Sequence, residues 1–117
     1  MPLFATIFTA LVAVLHLYIL VLEMFLWTHP RGLKTFRNTP EKAQATRVLA
    51  ANQGLYNGFL AAGLAWGAIS GRADVATFFL GCVVVAGLYG AWSVNRRILF
   101  VQAAPAALAL VLLWLGV

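Results

Sequence analysis

Asn52, Gln53, Tyr56 and Asn57 lie in the first turns of an apolar segment, within the run R-V-L-A-A-N-Q-G-L-Y-N-G-F-L-A-A-G that spans residues 47–63. At 3.6 residues per turn these four side chains share one arc of about 140°. Carboxamides and a phenol offer hydrogen-bond donors and acceptors without formal charge, which suits a polar ligand headgroup or a buried network. Facing hydrocarbon they find no water, so the spacing predicts that this face turns toward other helices or a cavity.

Other residues able to do chemistry lie upstream and downstream. His16 and Glu23 are seven residues apart on the first apolar segment. They share a helical face but stand about 10 Å apart along its axis. Metal–ligand bonds of about 2 Å exclude a shared ion, and no third ligand cluster accompanies them, so no metal site is expected. His16 reads either as an imidazole bonded between helices or as half of a proton-coupling pair with Glu23. For Glu23 an ion pair with Arg47 or Arg97 competes with a functional role, because an ionisable group inside a membrane is costly unless partnered. Tyr89, Ser93, Arg96 and Arg97 make a second polar stripe, and Gln102 opens the last segment. Glu23, Asn52, Gln53, Tyr56, Asn57, Tyr89, Arg97 and Gln102 are therefore the candidate ligand-binding residues, expected at one membrane depth. Such convergence describes a polar pocket and a structural network equally well.

The elements that must position these groups follow from composition. The 117 residues are 63% hydrophobic and 9% charged, against about 25% charged in an ordinary soluble domain. Apolar segments at about 3–27, 48–69, 75–93 and 98–116 each approach the roughly 20 residues that cross a bilayer. The expected fold is an all-α membrane protein: four transmembrane helices in one domain over 1–117, packed as an antiparallel bundle. The first segment has no preceding basic residue and is too long for the apolar core of a signal peptide. Thr39 and Pro40 form a helix start, as N-cap and first helical residue. Pro105 is expected to kink the last helix.

Charge sets the orientation. Arg31, Lys34, Arg37, Lys42, Arg47, Arg96 and Arg97 flank the first and third connections, while Arg72 stands alone with Asp74 in the second. The positive-inside rule places the first and third connections in the cytoplasm and both termini outside it, in a multi-pass protein of the cell membrane. The net charge of +5 is thereby explained without nucleic acid as a partner. Cys82, the single cysteine, cannot form an internal disulfide and reads as inert packing. Gly54-x-x-x-Gly58, Gly63-x-x-x-Gly67 and Ala86-x-x-x-Gly90 predict close helix approach, within one chain or between copies. A homo-oligomer with the second long helix at its interface is expected.

The runs K-T-F and A-N-Q-G-L-Y-N-G-F-L-A-A-G-L, with His16 and Glu23 upstream, resemble small bacterial and fungal membrane proteins grouped as domain of unknown function 1304. That resemblance covers nearly the whole chain and implies a four-helix membrane architecture without an activity. The layout is also similar to the membrane-associated proteins in eicosanoid and glutathione metabolism. Arg47-x-Leu49-x-Ala51 resembles the opening of their second-helix motif, and Tyr89, Arg97, Gln102 and Pro105 resemble positions at their third-to-fourth helix turn. This distant resemblance implies a trimer and glutathione between subunits, but the arginine and carboxylate that grip glutathione there are missing from Gln53 to Asn57. An amphiphile or a thiol cofactor bound near the cytoplasmic interface is the leading expectation. The alternatives are a small proton-coupled transporter or channel subunit, or a structural interaction protein. The residues leave open whether the protein is an enzyme.

Overall fold

A break at Met24 ends the first long apolar run, and the chain is helical again within six residues. The computed structural model describes Met1–Val117 and is all helical: α1 (Leu3–Met24), α2 (Pro30–Phe36), α3 (Pro40–Ala45), α4 (Arg47–Ser70), α5 (Ala73–Ser93) and α6 (Ala104–Leu115). Both α1 and α5 are long and apolar enough to cross a membrane. With 24 residues, α4 spans about 36 Å, but its polar stripe makes it less apolar. Residues Leu99–Leu115 form a shorter apolar helix.

The last helix opens with a wide π turn, Leu99–Ala103. It stands directly before Pro105, in the first turn of α6. A proline lacks the backbone N–H and its ring collides with the carbonyl four residues earlier, so the helix departs from regular α geometry at this point. The irregularity anticipated from Pro105 thus takes the form of a widened turn.

Contacts group the chain into two compact units, one of residues 1–14 and 60–117, the other of residues 15–59. In the first, Val12, Ala13, Leu64, Ala76, Leu80, Val83, Ala106 and Ala109 make the core. Half of these are alanines, small enough for close backbone packing. A Cβ at Gly67 would lie 2.8 Å from the backbone nitrogen of Ala76, and one at Gly87 would lie 2.7 Å from that of Ala103. Ala86, the small residue expected to pack with Gly90, is exposed, and Gly87 beside it takes that place. Gly71 turns the chain between α4 and α5 at φ 67°, a left-handed conformation that glycine adopts without strain.

The second unit holds the end of α1, the long connection and the start of α4. Gly54 packs on Glu23, Met24 and the Leu20 carbonyl, and Gly58 on the Leu20 side chain. Gly63 meets the Phe79 ring in the other unit's own packing. All four glycines of the two α4 motifs are thus filled from within the chain, so their spacing no longer argues for contact between copies. Thr39 caps α3 by accepting from the Lys42 N–H at 3.2 Å, as its position before Pro40 predicted. That short helix ends at Thr46 (φ −107°, ψ 11°) and does not run straight into α4. The Thr46 hydroxyl donates to the Lys42 carbonyl at 2.8 Å and accepts from the Trp27 indole at 3.1 Å.

Candidate functional site

Packing of α1 on α4 within residues 15–59 determines which polar groups meet. Ala50 and Gly54 are buried and Asn57 and Gly58 half-buried, so the packed side of α4 follows positions i, i+4, i+7 and i+8. Asn57 sits at its edge and reaches α1, where its Nδ2 donates to Glu23 Oε1 at 2.5 Å. Glu23 is itself half-buried.

The rest of the stripe does not turn inward. Asn52, Gln53 and Tyr56 are exposed on the chain, contrary to the expectation that all four share the packed side. The reason is steric. Glycines at 54 and 58 allow the α1 backbone to approach closely, and the larger polar residues are rotated away from that contact. The Tyr56 ring lies 6.2 Å from that of Phe59, on this outward face.

The expected arginine at Glu23 is absent. The ion pair of this chain joins Arg72 to Asp74 at 2.7 Å, at the start of α5. Arg47 is exposed at the head of α4. Asn57 occupies the position beside the carboxylate, so a carboxamide and not a cation satisfies it.

Tyr89, Arg97 and Gln102 belong to the other unit. Tyr89 is exposed, its ring 5.9 Å from that of Trp92, and its carbonyl accepts from the Ser93 hydroxyl at 2.7 Å. Ser93 is therefore satisfied locally. Arg97 is exposed and its backbone N–H donates to Asn95 Oδ1 at 2.8 Å. Gln102 is half-buried in the π turn. His16 is wholly buried. No three His, Cys, Asp or Glu side chains come together as metal ligands.

A pair missed from sequence lies on the long connection. Arg31 Nη1 donates to the Tyr18 hydroxyl at 3.1 Å, linking α2 back onto α1. Nearby, the Trp27 and Phe36 rings pack in a tilted arrangement, with centroids 4.9 Å apart and planes 50° apart. Gly32 is the signal that could have revealed this. Any Cβ there would lie 1.9 Å from the Leu26 carbonyl oxygen, so a glycine between basic residues marks a backbone contact.

The comparisons with known proteins agree on a family without an assigned activity. The model described as Protein of unknown function (DUF1304) matches residues 10–114. The chain is also 30% identical over 115 residues to "Uncharacterized protein YpaA" of Lactococcus lactis subsp. lactis (strain IL1403), covering 95% of this chain and 97% of that one. No solved structure matches it. With the match running from the middle of α1 almost to the end of α6, this chain belongs to the DUF1304 family.

Proposed function

We propose that this protein is a multi-pass membrane protein that binds the polar headgroup of an amphiphile along Asn52, Gln53 and Tyr56, beside the Glu23–Asn57 pair. In this reading the spans are α1 and α5, which are long and apolar enough to cross a membrane, together with α4 and the shorter apolar helix Leu99–Leu115. They form an antiparallel bundle with connections 28–46 and 94–97 on the cytoplasmic side, the arrangement that the basic residues favour.

The observation behind this reading is an exposed hydrogen-bonding stripe continuous with a satisfied, half-buried carboxylate. Unpartnered carboxamides are unfavourable against lipid tails, and a headgroup with hydroxyl or amide groups would satisfy them. Carboxamides both donate and accept, so a second copy of the same stripe is a suitable neighbour, and a homo-oligomer is part of the proposal. A trimer is the first choice, on the distant resemblance of the sequence to the membrane-associated proteins in eicosanoid and glutathione metabolism. Glutathione ranks below an uncharged headgroup because its two carboxylates call for cations, and this stripe carries none.

The test is to purify the protein in native nanodiscs and compare its retained amphiphiles with bulk lipid. Enrichment of one headgroup class that Asn52→Leu and Gln53→Leu together abolish supports the reading. A retained set identical to bulk lipid, unchanged by those substitutions, refutes it. Proton-linked transport is the second reading, favoured by a Glu23 that has no cationic partner. Proton flux into liposomes, lost in Glu23→Gln, would place it first.

A further inference from the structure

The long connection is not a slack loop: it folds back on α1 and holds a cation against that helix. Gly32 presses α2 onto the Leu26 carbonyl, Phe36 packs at a tilt against Trp27, and the Trp27 indole is tied to Thr46. Held this way, α2 folds back beside α1, and Arg31 reaches Tyr18. Tyr18 lies six residues before Met24, the last residue of α1, or about 9 Å along the axis. A guanidinium is therefore held short of the end of a helix long and apolar enough to cross a membrane, on a tyrosine, a residue type common at membrane interfaces.

We infer that this face, Arg31 on Tyr18 with Lys34 one turn on, is a docking surface for anionic phospholipid headgroups; it rests on the membrane reading above. Charge complementarity selects the occupant. Between residues 15 and 59 stand five cations, Arg31, Lys34, Arg37, Lys42 and Arg47, against two carboxylates, Glu23 and Glu41. Glu23 accepts from Asn57, and none of the five cations takes part in the chain's ion pair, Arg72–Asp74. With one N–H on the Tyr18 oxygen, Arg31 keeps further donors in a planar fork that matches phosphate oxygens. Phe25, 64% exposed, adds an apolar ring at the end of α1, of the kind that enters the headgroup–acyl boundary. Tyr18 and Glu23 are five positions apart on α1, about 140° around the helix, so this surface lies on a different face from the Glu23–Asn57 pair.

The experiment reconstitutes the full chain in vesicles of equal dioleoylphosphatidylglycerol and dioleoylphosphatidylcholine and measures by native mass spectrometry which lipid stays bound. The anionic phosphatidylglycerol should be retained preferentially. Arg31→Gln and Lys34→Gln should each lower that preference about fivefold, the contribution of one cation near an anionic surface. Arg72→Gln should leave it unchanged, since that guanidinium is already bonded to Asp74. Equal retention of both lipids by the unaltered protein, or an undiminished preference in the double variant, overturns the inference. If the double variant does not fold, a salt titration of the unaltered protein decides, because an exposed electrostatic preference must weaken as screening tightens. A preference indifferent to salt overturns it. Displacement of the lipid by inorganic phosphate assigns the surface to a soluble anion and also overturns it. A chain that inserts into neither vesicle refutes the membrane reading itself, and this inference with it.

Discussion

Asn57 donates to Glu23 across 34 residues of chain, at 2.5 Å, and so sets the register of α4 on α1. Gly54 and Gly58 bring the two backbones close enough for that bond to form. The two partners should respond differently to substitution. Glu23→Gln keeps an oxygen that Asn57 can reach, whereas Asn57→Leu leaves the half-buried carboxylate without its donor. We expect Asn57→Leu to cost about 1–3 kcal/mol and Glu23→Gln clearly less, read from unfolding in mild detergent. Equal losses would mean that the bond does not join the helices.

Gly32→Ala should detach the long connection. Its Cβ would fall 1.9 Å from a backbone oxygen, which no side-chain rotation relieves. Trp27 fluorescence, monitored in a variant lacking the other tryptophans, should report loss of the Phe36 contact and of the Thr46 bond. An unchanged spectrum and unchanged proteolysis of residues 28–46 would contradict the packing.

Two glycines in the other unit form a matched pair for testing. Gly67→Ala places a methyl 2.8 Å from the Ala76 nitrogen and should destabilise by about 1–3 kcal/mol, as overpacking does. At Gly81 an added Cβ meets nothing within 4 Å, so Gly81→Ala should be neutral or gain up to about 1 kcal/mol from helix propensity. Thermal unfolding in one detergent compares them directly. A larger loss at Gly81 would reveal that α5 meets another protein there.

Cysteine labelling decides the orientation. In a Cys82→Ala background, a membrane-impermeant thiol reagent added to intact cells should modify Arg72→Cys and spare Arg37→Cys. The reverse pattern would invert the topology proposed from the basic residues.

Several features were legible in the sequence because their causes are local. The Thr39 cap acts within three residues of chain, and Pro105 disturbs a helix through its own missing N–H and its ring. Apolar length alone marks α1 and α5 as able to cross a membrane, since hydrocarbon thickness sets the number of residues needed. The proximity of Glu23 to the α4 polar stripe was also readable. What the sequence by itself could not determine was which side of that stripe packs. A polar arc and a glycine arc lie side by side on α4, and either could face α1 on periodicity alone. The tertiary contact of Leu20 and Met24 with Gly54 and Gly58 chose the glycine side, because close backbone approach excludes bulkier residues. That choice turned Asn57 inward and left Asn52, Gln53 and Tyr56 outside. The arginine expected at Glu23 failed for a related reason. Where a cation goes depends on how the connection folds, and a glycine contact at Leu26 sends Arg31 to Tyr18, a pairing that no local spacing encodes.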